Sequence, residues 1–243
     1  MGVHGGATCE TPPANPALDT AGVNVDGRVF GVLPTSAYFN NLVDLLRAPY
    51  RTTWSPPFLK QPSGPDGSGM LEVTFAMPGF LKRFQNRVDR APKPSFAAPP
   101  NVNMAVIAIV ARVLRAFPSH LRVLVLGAWQ FNVASHGHDR DYHHDNANHG
   151  DLIVTVTLEG SGLVDHEHMP HAVASSVRQK PADFYGLWGD GLSRARHAAT
   201  ASATEGRTSL TLRFVPASAA SDDTPFLSSH SSTQRPSKRP RTS

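Results

Sequence analysis

The sequence is nearly free of cysteine: Cys9 is the single one in 243 residues. A lone cysteine excludes an internal disulfide, so nothing in the chain requires an oxidising compartment, and an intracellular location is expected. There is also no run of about 18 or more apolar residues, so neither a membrane-spanning helix nor a membrane partner is expected. The N-terminus lacks a basic start followed by an apolar stretch, and no signal peptide is expected.

Acidic residues are outnumbered: 19 Asp and Glu stand against 23 Lys and Arg, which gives a formal charge of +4 and a pI of about 9.5. This balance is compatible with a polyanionic partner, although several of the cations lie near the C-terminus. There, a basic cluster at 235–241 is typical of a nuclear localisation signal or a nucleic-acid contact, and equally of a solubilising tail.

Large apolar residues are scarce at both ends. Residues 1–22 are mainly Gly, Ala, Pro, Thr and Asn, and residues 217–243 are rich in Ser, Thr and Pro. Such segments bury too little apolar surface to fold, so we predict a disordered leader and a disordered basic tail. The part between them, 23–216, is long enough for one well-buried domain.

Within this domain, helical signals come first and strand signals follow. Helices are predicted over 36–47 and 102–117, the second with Met104, Ile107, Val110, Ala111, Leu114 and Phe117 on one face and Pro118 as its stop. A long loop is predicted over 50–69. Strands are predicted at 25–33, 71–76, 121–133, 152–158, 162–164, 172–177, 183–187 and 209–215. This order predicts an α+β, mainly β fold: a double-stranded β-helix, or jelly roll, with supporting N-terminal helices.

Chemistry is indicated by an ordered set of polar residues. His143 and Asp145 form a His-x-Asp pair, and alternation along a strand points them to the same side while His144 points away. His197 follows from a later strand. Two imidazoles and one carboxylate can hold one face of a ferrous ion and leave other positions open. Arg207, further on, can pair with the carboxylate of an acidic co-substrate through two bonds.

Other metal sites are weaker alternatives. His166-x-His168, with His171 nearby, is able to chelate, but Met169-Pro170 favours a loop and no arginine is associated with it. A zinc hydrolase built on His143, His144 and Asp145 would need a general base, and nothing in the motif supplies one.

At these residues the chain resembles the AlkB-like branch of the Fe(II)/2-oxoglutarate-dependent dioxygenases. The resemblance covers about a third of the chain, from Phe131 to Phe214. It is carried by Asn132, by His143-His144-Asp145, by the segment from Trp188 to His197, and by Arg207-Thr208-Ser209-Leu210-Thr211-Leu212-Arg213-Phe214.

The resemblance implies Fe(II) and 2-oxoglutarate as cofactors, with O2 as the other co-substrate. His143, Asp145 and His197 would be the metal ligands and the catalytic residues. Co-substrate would be bound by Arg207 at its distal carboxylate and by Asn132 and Arg213 at its other end, with Ser209 adding a hydrogen bond or serving as an ordinary strand residue.

The implied activity is hydroxylation or oxidative demethylation of a nucleic-acid base, with DNA or RNA as substrate. A protein side-chain hydroxylase or demethylase, and an inactive binding module with an oxygenase fold, stay open as alternatives. Two positions depart from the family pattern, Ala134 and Ala147, and the second weakens the expectation of base repair. Basic residues expected near a substrate lid, or alternatively on a solvated helix face, are Arg47, Arg51, Lys60, Lys82, Arg83 and Arg87. Tyr50, Trp54 and Phe58 could stack on a base or pack against the body of the protein.

Overall fold

The computed structural model describes residues 27–33, 39–41, 43–44, 70–80, 82–84, 100–145, 150–168 and 172–220. Most of the predicted helix at 36–47, the predicted loop at 50–69 and the predicted disordered leader lie outside these residues. So does the tail beyond residue 220. No helix in the described part of the chain is both long and apolar enough to cross a membrane.

The described residues are mainly strand, as predicted. The strands are β1 (Arg28–Val32), β2 (Met70–Ala76), β3 (Val125–Ala134), β4 (Asp139–His143), β5 (Leu152–Gly160), β6 (Gly162–His168), β7 (Ala172–Gln179), β8 (Asp183–Trp188), β9 (His197–Ala201) and β10 (Arg207–Val215). The helices with defined bounds are α1 (Pro100–Val113) and α2 (Gly189–Ser193), with 3-10 turns at Leu114–Ala116, Ser119–Leu121 and Ala217–Ala219. The described residues 39–41, 43–44 and 82–84 are also helical.

The strands form two antiparallel sheets. One has six strands in the order β1-β8-β5-β10-β3-β2, and the other has four in the order β4-β9-β6-β7. β10, the last strand of the described residues, lies between β5 and β3 and pairs with both. The chain therefore passes back and forth between the sheets, and residues far apart in sequence become neighbours in the space between them.

Helix α1 covers the outer face of the six-stranded sheet. Its buried residues pack with Trp129 and Phe131 of β3 and with Leu210 and Leu212 of β10 in one core cluster. The predicted helix is confirmed. Its α-helical part ends at Val113, its last turn is 3-10, and the backbone is extended at Phe117, just before Pro118.

The predicted helix face is only partly right: Phe117 is fully buried and Val110 and Leu114 pack against the core, but the other three members are exposed. Met104 and Ile107 are 64% and 44% exposed, and Ala111 is exposed as well. The buried face consists of Val102, Ala105, Val106, Ile109 and Val113. The helix is apolar on nearly all sides, so helical spacing alone did not distinguish the face that meets the sheet.

Candidate functional site

One face of β10 is polar from Arg207 to Arg213. Arg207, Ser209, Thr211 and Arg213 are all buried, and they alternate with leucine and phenylalanine side chains that join the core under α1. Since successive strand residues point to opposite faces, the polar set lies on the side of the four-stranded sheet. A buried face with this composition is unusual for a sheet interior and indicates a binding site.

A cavity lies between the two sheets on this polar face. It is lined from the six-stranded sheet by Asn132, Ala134, Thr155, Tyr185, Arg207, Ser209 and Thr211, and from the four-stranded sheet by His138, Arg140, Ala199 and Ala201. Two guanidinium groups thus line the cavity, and no described carboxylate does. The lining favours an anionic ligand.

Arg207 lines this cavity with only 7% of its surface exposed. Its Nε and Nη2 donate to the hydroxyl of Thr157 at 3.2 and 3.0 Å. Burial lowers the pKa of the Arg207 guanidinium, partly offset by Tyr185. No carboxylate of the described residues forms an ion pair with it. Because a buried charge without a counter-charge is costly, the site is suited to an anion supplied from outside the chain.

Asn132 is held by a hydrogen-bond chain across three strands. Its Oδ1 accepts from Gln130 Nε2 at 2.6 Å, and its Nδ2 donates to Thr211 Oγ1 at 3.1 Å. Thr211 is in turn 3.1 Å from the hydroxyl of Thr155. These bonds fix the orientation of the Asn132 amide beside the cavity.

The predicted metal ligands come together at the edge of the four-stranded sheet. His143 pairs with His197 in the β4–β9 ladder, and their ring centroids are 4.4 Å apart. Asp145 follows the end of β4, and its Oδ2 is 3.7 Å from Nε2 of His197. His144 is exposed, as expected from the alternation, so it does not join a zinc site with its neighbours.

The three side chains are close to one another, but they are not arranged around one point as the ligands of a bound metal would be. Two ligands at about 2.1 Å from an ion and at right angles to each other are about 3 Å apart. The observed 3.7 Å is wider, and no group of three or more His, Cys, Asp or Glu side chains in the described ranges is already arranged to hold an ion.

The charge states of these side chains suit metal binding. Burial raises the pKa of Asp145, but the charges of Arg213, His197 and His143 lower it by more. The pKa of Asp145 therefore lies below its ordinary value. Burial lowers the pKa of His197 to about 4. Its Nδ1 is buried and has no hydrogen-bond partner among the described residues. An ionised carboxylate and a neutral imidazole are the forms in which these groups bind metals.

Arg213 lies elsewhere than the other predicted co-substrate residues. It is fully buried, does not line the cavity, and places Nη2 3.8 Å from Oδ1 of Asp145. Its Nε and Nη1 have no hydrogen-bond partner among the described residues. In this structure Arg213 is therefore a neighbour of the carboxylate, and its contact with co-substrate stays a prediction.

His166 is the residue whose position was predicted least well from the sequence. It lies in strand β6 instead of a loop, is completely buried, and pairs with His197 across β6–β9. Its ring is 6.1 Å from that of His197 and also contacts Phe30 and Tyr185. The side chain of His168, and all of His171, fall outside the described residues, so the alternative chelate is not tested.

Thr155, Tyr185 and Arg140 were also missed as cavity residues. A signal for the first was present: Thr155 and Thr157 alternate with valines in β5, which is the pattern of a strand with one polar face. No comparable pattern marked the other two.

Comparison with solved structures identifies the fold. A prolyl-4-hydroxylase from Pseudomonas putida aligns with a TM-score of 0.52 and 13% identity over 79% of this chain and 94% of that one. An oxidoreductase of the 2OG-Fe(II) oxygenase family from Burkholderia pseudomallei aligns with a TM-score of 0.53 and 16% identity, over 80% and 87%.

The structure of OsALKBH1 aligns with a TM-score of 0.51 and 16% identity, over 77% of this chain and 96% of that one. No protein-family model and no curated protein matches the sequence. The chain thus has the fold of a 2OG-Fe(II) oxygenase, and at these identities the likeness concerns the fold alone.

Proposed function

We propose that this protein is an Fe(II)- and 2-oxoglutarate-dependent dioxygenase. The observation that carries the proposal is Arg207: a buried guanidinium that faces a cavity lined by no described carboxylate. The His143, Asp145 and His197 cluster borders the same inter-sheet space. A dicarboxylic acid held between Arg207 and a metal would satisfy both features at once.

The strand order supports the finer interpretation of the fold. From β3 onward, strands β3, β5, β8 and β10 belong to one sheet and β4, β6, β7 and β9 to the other. We infer that these eight strands are the double-stranded β-helix, or jelly roll, and that β1, β2 and α1 are additions to its six-stranded side.

Each residue of the site has a distinct role in this proposal. His143, Asp145 and His197 would occupy three positions around the metal, and Arg207 would hold the distal carboxylate of 2-oxoglutarate, supported by Ser209. Asn132 would contact the co-substrate through an amide already oriented by Gln130 and Thr211.

Bound Fe(II), with 2-oxoglutarate, would supply the activation of O2 for oxidation of a C–H bond, with release of succinate and carbon dioxide. The chain would position the reactants and exclude water. The cavity lies between two sheets, and Arg207 and His197 are both almost fully buried.

For the substrate, we propose a base of DNA or RNA, in line with the AlkB-like pattern. Support comes from the excess of basic residues and from the cationic lining of the cavity. The exposed Lys82 and Arg83 are the members of the expected lid set that fall among the described residues. A base would have to be flipped from a duplex or presented in a single strand. The nuclear location rests on the basic tail and stays a prediction.

A protein side-chain hydroxylase is the second candidate, because one structural neighbour is described as a prolyl-4-hydroxylase. An inactive binding module is a third, and it is disfavoured by the presence of all four residues, His143, Asp145, His197 and Arg207.

The test is a succinate assay with Fe(II), 2-oxoglutarate and panels of methylated DNA, methylated RNA and peptides, followed by mass spectrometry of the products. We expect succinate formation coupled to loss of a methyl group from, or gain of one oxygen on, a nucleic-acid base. Oxygen gained by peptides alone would refute the substrate proposal. No binding of Fe(II) or 2-oxoglutarate would refute the enzyme proposal.

A further inference from the structure

An ion pair joins the two sheets beside the cavity. β2 is an edge strand of the six-stranded sheet, and β4 is an edge strand of the four-stranded sheet. Glu72 of β2 and Arg140 of β4 meet between these two edges, with Nη1 3.7 Å from Oε1. Their side chains are 27% and 38% exposed, so the pair is in contact with solvent.

Both residues belong to the cavity side of their strands. Glu72 pairs with Asn132, and Arg140 pairs with Ala199, and each of these two partners lines the cavity. Arg140 lines it as well. Arg207 is buried, with 7% of its surface exposed, whereas the side chain of Arg140 is 38% exposed, so we take the Arg140 side as the mouth of the cavity.

The ion pair with Glu72 is easily exchanged. A solvent-exposed contact of this length contributes about 0–1 kcal/mol, because water and salt screen it. The cavity is also lined by two arginines, one more than the binding of a single dicarboxylic acid requires. In the proposed function, one carboxylate of 2-oxoglutarate is taken by Arg207 and the other by the metal, which leaves Arg140 for a different anion.

Arg140 is also close to the proposed reaction centre: it lies on β4 three residues before His143, and it pairs with Ala199, two residues after His197 in β9. An anion bound by Arg140 would thus lie at the cavity mouth, near the metal ligands. A nucleotide presents its phosphate next to its base, so a base that entered the cavity would bring a phosphate to this mouth.

We propose that Arg140 is the phosphate-binding residue for a nucleic-acid substrate, and that Glu72 is the internal carboxylate that this phosphate displaces. This inference rests on the proposed function and deepens it. Arg140 then acts in substrate binding, while Glu72 competes with the substrate and lowers its affinity.

The experiment measures binding of a short single-stranded oligonucleotide by fluorescence anisotropy, without O2 and with Mn(II) and 2-oxoglutarate bound. The variants are Arg140→Gln, Glu72→Gln and the double variant. Arg178→Gln is the control with matched charge: this exposed arginine lies on β7, at the opposite edge of the four-stranded sheet.

For Arg140→Gln we expect affinity to fall about tenfold, as for loss of one charge-assisted hydrogen bond. The slope of log K against log salt should also fall by about 0.7, the value for one phosphate contact of a single strand. For Glu72→Gln we expect tighter binding by a few fold, and the double variant should resemble Arg140→Gln. Arg178→Gln should leave both quantities unchanged.

Opposite signs for the two single variants are the signature of displacement. If both variants weakened binding, the pair would be a structural brace, and the proposal would be overturned. If Arg140→Gln mainly weakened 2-oxoglutarate binding, Arg140 would belong to the co-substrate site, with the same consequence.

Failure of this inference is distinguishable from failure of the proposed function. Binding of Mn(II) and 2-oxoglutarate is measured by calorimetry in the same variants, and succinate release without added substrate is measured with Fe(II). If these stayed intact while the oligonucleotide failed to bind the parent protein, the oxygenase would stand and the phosphate site would be refuted.

Discussion

His143 and His197 face each other across one rung of the antiparallel β4–β9 ladder, with ring centroids 4.4 Å apart. This pairing is fixed by backbone hydrogen bonds, so the two imidazoles are placed together whether or not an ion is bound. Such preorganisation reduces the ordering cost of metal binding.

The metal assignment predicts that His143→Ala and His197→Ala each lower Mn(II) or Co(II) affinity by at least about 100-fold, more than is usual for loss of a supporting residue. Calorimetry on the chelator-treated protein measures this. His120→Ala, at an exposed histidine of the 3-10 turn before β3, should bind metal normally. Equal affinities for all three variants would contradict the assignment.

Replacing Arg207 should affect affinity and stability in opposite directions. Arg207→Met is expected to lower 2-oxoglutarate affinity at least about 100-fold, since two charge-assisted bonds are lost. It should also stabilise the ligand-free protein by about 1 kcal/mol or more, because a buried unpaired charge is removed.

Calorimetric titration and urea unfolding test these two effects, and Arg178→Met serves as an exposed control. A variant that lost stability but kept its affinity for 2-oxoglutarate would show that Arg207 is a structural residue.

The revised helix face predicts a large difference between two isoleucines of α1. Ile109 is fully buried and Ile107 is 44% exposed. Ile109→Ala should therefore cost about 2–5 kcal/mol of unfolding free energy, through lost transfer energy and a cavity. Ile107→Ala should cost less than about 1 kcal/mol. Urea denaturation of both variants decides, and similar losses would show that Ile107 is covered in solution.

The turn between β5 and β6 predicts a strong effect of a single methyl group. Gly160 has φ +65°, and a Cβ there would lie 2.2 Å from the carbonyl oxygen of Gly206, next to Arg207. Gly137 has φ +67° but open space around it. Alanine at either position costs about 1–2 kcal/mol for the left-handed backbone.

Gly160→Ala should therefore lower the free energy of unfolding clearly further than Gly137→Ala does, and it should also weaken 2-oxoglutarate binding, because Gly206 must shift. Equal losses of stability in the two variants would mean that the β5–β6 turn can relax away from Gly206 without cost.

Asp183 provides a prediction of pH dependence. Burial raises the pKa of this carboxyl group, against the opposing effects of the Lys180 amide and side chain. A raised pKa means that the folded state holds the proton better than the unfolded state, so this contribution to stability is present at low pH and is lost as pH rises through the folded pKa.

Asp183→Asn should consequently be more stable than the parent protein at neutral pH, and the advantage should shrink as the pH falls toward about 4. Its amide oxygen can still accept from the Lys180 N–H, as Oδ2 of the carboxylate does at 3.0 Å. Thermal unfolding at several pH values measures the difference, with the exposed Asp151→Asn as control. A constant difference across pH would contradict the prediction.

The sequence was most informative where polar and apolar residues alternate along a strand. β10 was recognised from Leu210, Leu212 and Phe214, and the arginines of the same strand supplied the candidate site. The two ligand-bearing strands, β4 and β9, contain Asp-Arg-Asp-Tyr-His and His-Ala-Ala-Thr-Ala, which carry no apolar alternation. Their positions were inferred from the histidines alone.

What could not be predicted depends on contacts between distant segments. Nothing in the composition of β6 shows that His166 will pair with His197, because this pairing is set by strand order. The Glu72–Arg140 pair likewise joins an edge strand that precedes α1 to one that follows it. For helix α1 the difficulty was the opposite. Apolar residues lie on nearly all of its sides, so the sequence did not show which side is buried.

The central position of β10 has a consequence for synthesis of the protein. Before this strand emerges from the ribosome, β1-β8-β5 and β3-β2 share no edge, so the larger sheet exists only as two fragments. The guanidinium that would receive the dicarboxylic acid arrives with the strand that joins them. A nascent chain therefore gains no stabilisation from its small-molecule ligand until β10 has inserted between β5 and β3.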